Sequence, residues 1–253
     1  MSGPSISELT ALSMTRLSPS ELTGRSRSHL QSDDVSGCVL HPLARQALDQ
    51  MTTAARSAGI EMAAISCFRS FEQQLGIWNS KFLGQRELLS ASGTVLNALS
   101  LGAAERVEAI LVWSALPGAS RHHWGTDFDL IDRAALPPGQ SARLVPEEYQ
   151  PAGWFAPLTQ WLDHHAADYG FFRPYDIDRG GVSPEPWHLS FAPLAAPALQ
   201  DLTIDVLADS LSGAALEGRD IVFTRLPELH RRYVLAVAEP PARALVAPAL
   251  SHS

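Results

Sequence analysis

Ser120-Arg121-His122-His123-Trp124-Gly125-Thr126-Asp127-Phe128-Asp129 is the stretch on which the reading of this chain turns. It follows a Pro117-Gly118 turn and runs into Leu130-Ile131, so it reads as a loop leading into a short buried strand. Two histidines and two carboxylates stand close together around a glycine bend, and imidazole and carboxylate are the donors that suit Zn²⁺. A loop of this kind needs a further ligand and a base from elsewhere in the chain before it becomes a hydrolytic centre.

Upstream, His41-Pro42 opens a helix, with proline in the first turn and Leu43, Ala47, Met51, Ala54 and Ala58 at helical spacing before Gly59. Glu61 to Cys67 is an apolar run of strand length. Ser70-Phe-Glu-Gln73 fits a capping box, and the helix it starts carries Phe71, Leu75, Trp78 and Phe82 on one stripe. Residues 83–102 read as a loop with a helical turn, and Ala103 to Trp113 as a helix with Val107, Ile110 and Leu111 inward. Downstream, 132–150 reads as a surface loop and Trp154 to Tyr169 as a helix ended by Gly170. Residues 171–184 read as a turn-rich connection. Glu185 to Phe191 alternates as a half-buried strand, with Trp187, Leu189 and Phe191 on one face and His188 and Ser190 on the other. Residues 1–37 form an irregular lead-in. From 194 the Ala/Leu/Pro-rich tail reads as a helical appendage, with helices at 202–211 and 226–237.

Catalytic zinc takes three protein ligands and leaves one position for water. His122 and Asp129 can supply two, and His188 can supply the third. Glu185, just before His188, is placed as general base, and Arg69, between a strand and a capped helix, as the cation for a developing oxyanion. Asp127 shares a strand face with Asp129 and has three readings: an acceptor behind a ligand histidine, a contact to a substrate amine, or the ligand itself. The spacing from His122 and Gly125 favours Asp129 as the ligand. His123 is read as a solvent-facing residue or one behind the ligands. Ser120 has a bland alternative as a cap of the turn, and Arg69 one as a structural ion-pair partner.

These residues carry a resemblance. Ser120-x-His122-x-x-Gly125-x-x-x-Asp129 resembles the zinc motif of the LAS metallopeptidases, the superfamily of lysostaphin, D-Ala-D-Ala peptidases and hedgehog domains. Glu185-Pro-Trp-His188 and Ser66-Cys-Phe-Arg69-Ser70-Phe-Glu-Gln-Gln74 are similar to motifs of its VanY-type D-Ala-D-Ala carboxypeptidase branch, and Tyr169-Gly170-Phe171 falls where that branch expects it. Two residues depart from the pattern: Asp127 stands where the family has a small residue, and Cys67 where it has glycine.

The resemblance covers roughly 38–193 and implies an α+β fold, a small mainly antiparallel sheet with helices packed on it and Zn²⁺ in a surface cleft. It implies zinc ligands His122, Asp129 and His188, Glu185 as base and Arg69 polarising the carbonyl. Ser120, Gln74 and Ser70 become substrate-binding residues. The implied activity is hydrolysis of the terminal D-Ala-D-Ala bond of peptidoglycan-type peptides. L,D-carboxypeptidase, D-Ala-D-Ala dipeptidase or endopeptidase activity keeps the same chemistry, and a catalytically silent zinc-containing binding module is the reading of another class.

Composition sets outer bounds. The 253 residues are 45% hydrophobic and 18% charged, ordinary for a globular chain, and a net charge of −8 argues against a nucleic-acid partner. No apolar run reaches the roughly 18 residues of a spanning helix. For the two cysteines, Cys38 and Cys67, one bridge is open, but the expectation is two free buried thiols. With no secretory signal read in the first 37 residues, the expected compartment is the cytoplasm, the alternative being the periplasm or cell wall.

Overall fold

The computed structural model describes residues 16–31 and 37–246; the first part of the lead-in and the last residues of the tail lie outside that range. A short helix α1 (Pro19–Leu22) is started by a Ser18–Glu21 capping box, and its Leu22 is buried, so structure begins within the segment read as irregular. Helix α2 (Pro42–Arg56) begins at His41, whose Nδ1 accepts from the Leu43 N–H at 3.2 Å. Its buried face is Leu43, Ala44, Ala47, Leu48, Met51 and Ala55; Ala58 is exposed beyond the helix end.

Strand β1 (Met62–Ser66) follows, then α3 (Phe71–Phe82), for which both arms of the Ser70–Gln73 capping box form. The segment expected to be a loop holds a two-stranded hairpin, β2 (Leu88–Leu89) with β3 (Val95–Leu96). These strands have two residues each, too short for alternation to register in sequence. Helix α4 (Ala103–Leu111) buries Val107, Ile110 and Leu111.

The central sheet adds β4 (Asp127–Asp132), β5 (Phe171–Phe172) and β6 (His188–Phe191) in the order β1-β4-β6-β5, every pair antiparallel. The fold is therefore the expected α+β class. Phe128 and Leu130 of β4 and Leu189 and Phe191 of β6 pack with α2 and with α6 (Ala156–His165). Residues of the other parity, Asp127, Asp129, His188 and Ser190, face the opposite side. All of β6 is buried, not half of it, because neighbouring strands flank it and its polar face is also covered. A short helix α5 (Pro146–Tyr149) interrupts the loop before α6.

The C-terminal region forms α7 (Ala192–Asp201), α8 (Ile204–Leu211) and α9 (Arg219–Leu229), the last running into a π turn at His230–Val234. These helices share one apolar cluster with Phe71 and Trp78 of α3 and Val107 and Ile110 of α4. Trp78 Nε1 donates to Glu217 O at 3.0 Å and Asn79 Nδ2 to Ala215 O at 2.8 Å. The tail thus braces α3 from behind, and Leu202, Leu207 and Leu226 belong to a core. The segments Ala192–Asp201 and Arg219–Arg225 are helical where no helix was expected, since tertiary burial supports what their local pattern does not.

Cys38 and Cys67 are joined in a disulfide, which corrects the expectation of free thiols. Sequence separation is no guide to proximity here. Phe68 N–H donates to Val39 O at 3.1 Å, so the backbone runs that carry the cysteines lie side by side.

Candidate metal centre and active site

Strand register assembles the centre. Asp129 on β4 is paired directly with His188 on β6, and with Ser66 on its other side, so the two side chains project together from one face. His122 enters from a 3₁₀ turn, Arg121–Trp124, that closes against β4. The turn ends at Gly125 with φ 66°, and a Cβ there would lie 2.2 Å from Leu30 Cδ2 and 3.0 Å from the His41 backbone N. Only glycine fits both the left-handed conformation and the space.

One ligand atom from each of His122, Asp129 and His188 lies within 4.8 Å of the others. His122 Nδ1 donates to Cys67 O at 3.0 Å, which leaves Nε2 facing Asp129 Oδ2 at 3.9 Å. His188 Nε2 donates to Asp127 Oδ1 at 3.0 Å, which turns Nδ1 towards Asp129 Oδ1 at 3.3 Å and Glu185 Oε2 at 3.4 Å. Asp129 Oδ1 and His188 Nδ1 are both fully buried without a hydrogen-bond partner. Orphaned polar atoms are costly in a protein interior, and two converging on the space His122 Nε2 also faces are what a cation would satisfy. The donor set of two imidazoles and one carboxylate fits such an ion.

Electrostatics agree. Burial lowers His122 to about 4, keeping it neutral with a free lone pair. Burial opposes charge on His188, but the carboxylates of Asp127, Asp129 and Glu185 hold it well above its ordinary value. Asp129 is depressed: burial works against its charge, and His122, His188 and Arg69 outweigh burial. Burial, reinforced by Asp129, raises Glu185, as suits a group that exchanges protons.

Arg69 lines the same cavity, of about 250 Å³, as Glu185. Its backbone N–H donates to His122 O at 3.2 Å, and its Nη1 donates to Gln74 Oε1 at 2.8 Å. No carboxylate lies at salt-bridge distance among the described residues, so the structural ion-pair reading of Arg69 has no partner. Ser120 lines the cavity and makes no capping bond. The other two residues read as substrate contacts are placed differently. Gln74 also donates to Ala115 O at 2.7 Å, so both ends of its amide are engaged by the protein, and the Ser70 hydroxyl accepts from Gln73 N–H as the cap of α3.

Asp127 sits behind His188, fully buried, where it also accepts from Arg121 Nε at 2.8 Å and from the Thr126 hydroxyl. Of its three readings, this geometry fits the acceptor. His123 is fully buried, not solvent-facing: Nδ1 donates to Arg69 O at 2.6 Å and Nε2 accepts from Gly118 N–H at 3.1 Å.

Sequence reasoning passed over several contributors. Arg121, adjacent to a ligand, is buried between Asp127 and Ser190. Tyr175 packs edge-on against His188 with ring centroids 5.1 Å apart, and nothing in its turn-rich surroundings marks it. Leu144, a non-glycine residue at φ 56°, lies on the lip where the cavity meets a larger groove of about 840 Å³. Glu148 holds that strained turn by accepting from the Arg143 and Leu144 N–H groups.

The family model described as VanY, D-alanyl-D-alanine carboxypeptidase, matches residues 38–194. The chain belongs to the VanY family. Among curated relatives, an uncharacterized protein of Haemophilus influenzae is 34% identical over 122 residues, 47% of this chain and 93% of its own length. The D-alanyl-D-alanine carboxypeptidase of Enterococcus faecalis is 26% identical across 59% of this chain and 47% of its own. Among solved structures, a mutant of the vancomycin-resistance D,D-pentapeptidase VanY in complex with Zn(II) is 22% identical, with 78% and 90% of the two chains covered and a TM-score of 0.47. The LD-carboxypeptidase LdcB is 22% identical, with 79% and 80% covered and a TM-score of 0.48. Members of the VanY family are carboxypeptidases, and the cluster of His122, Asp129 and His188 lies inside the matched range.

Proposed function

We propose that this chain is a zinc-dependent carboxypeptidase that hydrolyses the terminal D-Ala-D-Ala bond of peptidoglycan-type peptides. The observation that carries the reading is the convergence of His122, Asp129 and His188 in a cavity that Glu185 and Arg69 also line. Zn²⁺ bound by those three residues would supply Lewis-acid polarisation and lower the pKa of water towards about 7. Glu185, 3.4 Å from His188 Nδ1, takes the proton of the attacking water and returns it to the leaving amine. Arg69, braced by Gln74, donates to the carbonyl oxygen as negative charge develops there. Asp127 and Cys67 O fix the two histidine rings from behind, so neither has to reorient during the reaction.

The bridge between Cys38 and Cys67 supports a place of action in an oxidising compartment, the periplasm or cell wall, in preference to the cytoplasm. Fractionation of the producing cell tests this, and a wholly cytoplasmic, reduced protein would sink it. For the activity, D-Ala release from a defined muropeptide pentapeptide is followed with zinc-loaded protein, after chelation, and after zinc is restored. Release should stop and then recover; undiminished release under chelation overturns the reading. Tetrapeptide and cross-linked substrates in the same screen separate L,D-carboxypeptidase and endopeptidase activity.

A further inference from the structure

A carboxypeptidase must recognise the free carboxylate at the end of its substrate, and the side chains first read as substrate contacts do not supply a charge for it. Gln74 is consumed by Arg69 and Ala115, and Ser120 is neutral. The cavity wall at Trp113-Ser114-Ala115 offers another solution. Lys81, in the last turn of α3, is half-buried behind that wall and donates to the Ser114 hydroxyl at 2.7 Å. Ser114 itself lines the cavity. Because its oxygen accepts from an ammonium, its own proton is left to donate, and it has no acceptor among the described residues.

Lys81 also has no carboxylate within ion-pair distance among the described residues. Burial, with repulsion from Arg86 and Arg69, lowers it to about 8; Glu185 attracts it without touching it. A covered ammonium that has Arg86 and Arg69 in its field and touches no carboxylate is an unfavourable arrangement unless an anion completes it. The wall is held rigidly: Gln74 anchors Ala115 O, Trp113 Nε1 donates to Ser90 O at 2.9 Å, and Ser183 N–H donates to Val112 O at 2.9 Å.

We propose that Ser114, charged from behind by Lys81, receives the terminal carboxylate of the peptide. Resting on the carboxypeptidase reading above, this assigns specificity for a free chain end to α3 and the segment after α4. Lys81 and Glu185 act together: one attracts the carboxylate and the other repels it, orienting the scissile bond between them.

The test compares a D-Ala-D-Ala peptide with its C-terminal amide, using zinc-loaded wild-type, Lys81→Met, Lys81→Arg and Ser114→Ala proteins. Charge-assisted hydrogen bonds of this kind are worth about 10- to 100-fold. Wild-type protein should prefer the acid by about that factor, expressed mainly in KM. Lys81→Met and Ser114→Ala should bring the acid-to-amide ratio of kcat/KM towards one, and Lys81→Arg should restore much of it. Titration calorimetry of the same two peptides onto Glu185→Gln protein reads the preference without turnover. If that protein prefers the acid and Lys81→Met in the same background abolishes the preference, the assignment stands even where no peptide is hydrolysed. An unchanged ratio in Lys81→Met overturns it, and if that variant does not fold, an unchanged ratio in Ser114→Ala does so.

Discussion

Asp127 Oδ1 accepts from His188 Nε2 at 3.0 Å, and that single bond decides that the other ring nitrogen of His188 faces Asp129 and Glu185. The same oxygen accepts from Arg121 Nε at 2.8 Å, so the acceptor is held in turn by a buried guanidinium. Residues placed behind metal ligands typically change affinity by about 10- to 100-fold. Asp127→Asn should therefore weaken zinc binding by about that factor, read by competition with a chromophoric chelator. Wild-type affinity in this variant would return Asp127 to a merely structural role.

Glu185→Gln keeps the shape of the cavity and removes its base. Zinc content should be retained while kcat falls by at least ~10²-fold. Metal analysis paired with D-Ala release checks both halves. Full activity would overturn Glu185 as the base, and absence of D-Ala release from the zinc-loaded wild type would favour the silent binding module.

Arg69→Met should lower kcat by about 10²- to 10³-fold, the range found when an oxyanion donor is removed. Arg69→Lys should recover little, because the guanidinium holds Gln74 while presenting further donors, a geometry a single ammonium cannot reproduce. Steady-state kinetics on one defined pentapeptide separates this loss from a change in KM.

The bridge between Cys38 and Cys67 closes a sequence separation of 29 residues. The chain-entropy model assigns such a loop about 3–4 kcal/mol of stabilisation. Urea unfolding of the Cys38→Ser, Cys67→Ser double variant should show a loss of that order relative to the oxidised wild type. Equal midpoints would mean that the contacts of residues 67–68 with residues 38–39 suffice without it.

His41 supplies a pH signature away from the metal. Burial, with repulsion from His29, lowers it from its ordinary 6.5 to about 4. The unfolded chain therefore binds its proton first, so this contribution to stability is present above pH 6.5 and is lost as pH falls towards about 4. Protonation also removes the lone pair that caps Leu43 N–H. Urea midpoints of wild type and His41→Asn, compared across that window, should converge on acidification; a constant difference would exclude the effect.

Much of this centre was legible in the chain itself. Side-chain chemistry and local spacing point to His122, Asp129, Glu185 and His188 because a zinc hydrolase needs those donors and a base whatever surrounds them. Local periodicity likewise marks α2, α3 and α4, whose apolar stripes and caps are written within a dozen residues. What the sequence left open depended on groups brought together from far apart. Asp127 had three readings until β4 paired with β6 and set it behind His188; Cys38 and Cys67 looked like free thiols until the run after β1 lay beside Val39. Nothing in the sequence sets Lys81 apart, and only the placement of α3 brings its ammonium to the Ser114 hydroxyl; the tail was an appendage until its leucines met Trp78. Residue type and spacing carry the chemistry of a site. Pairing register and burial, which exist only in the folded chain, decide which atom of each residue faces it.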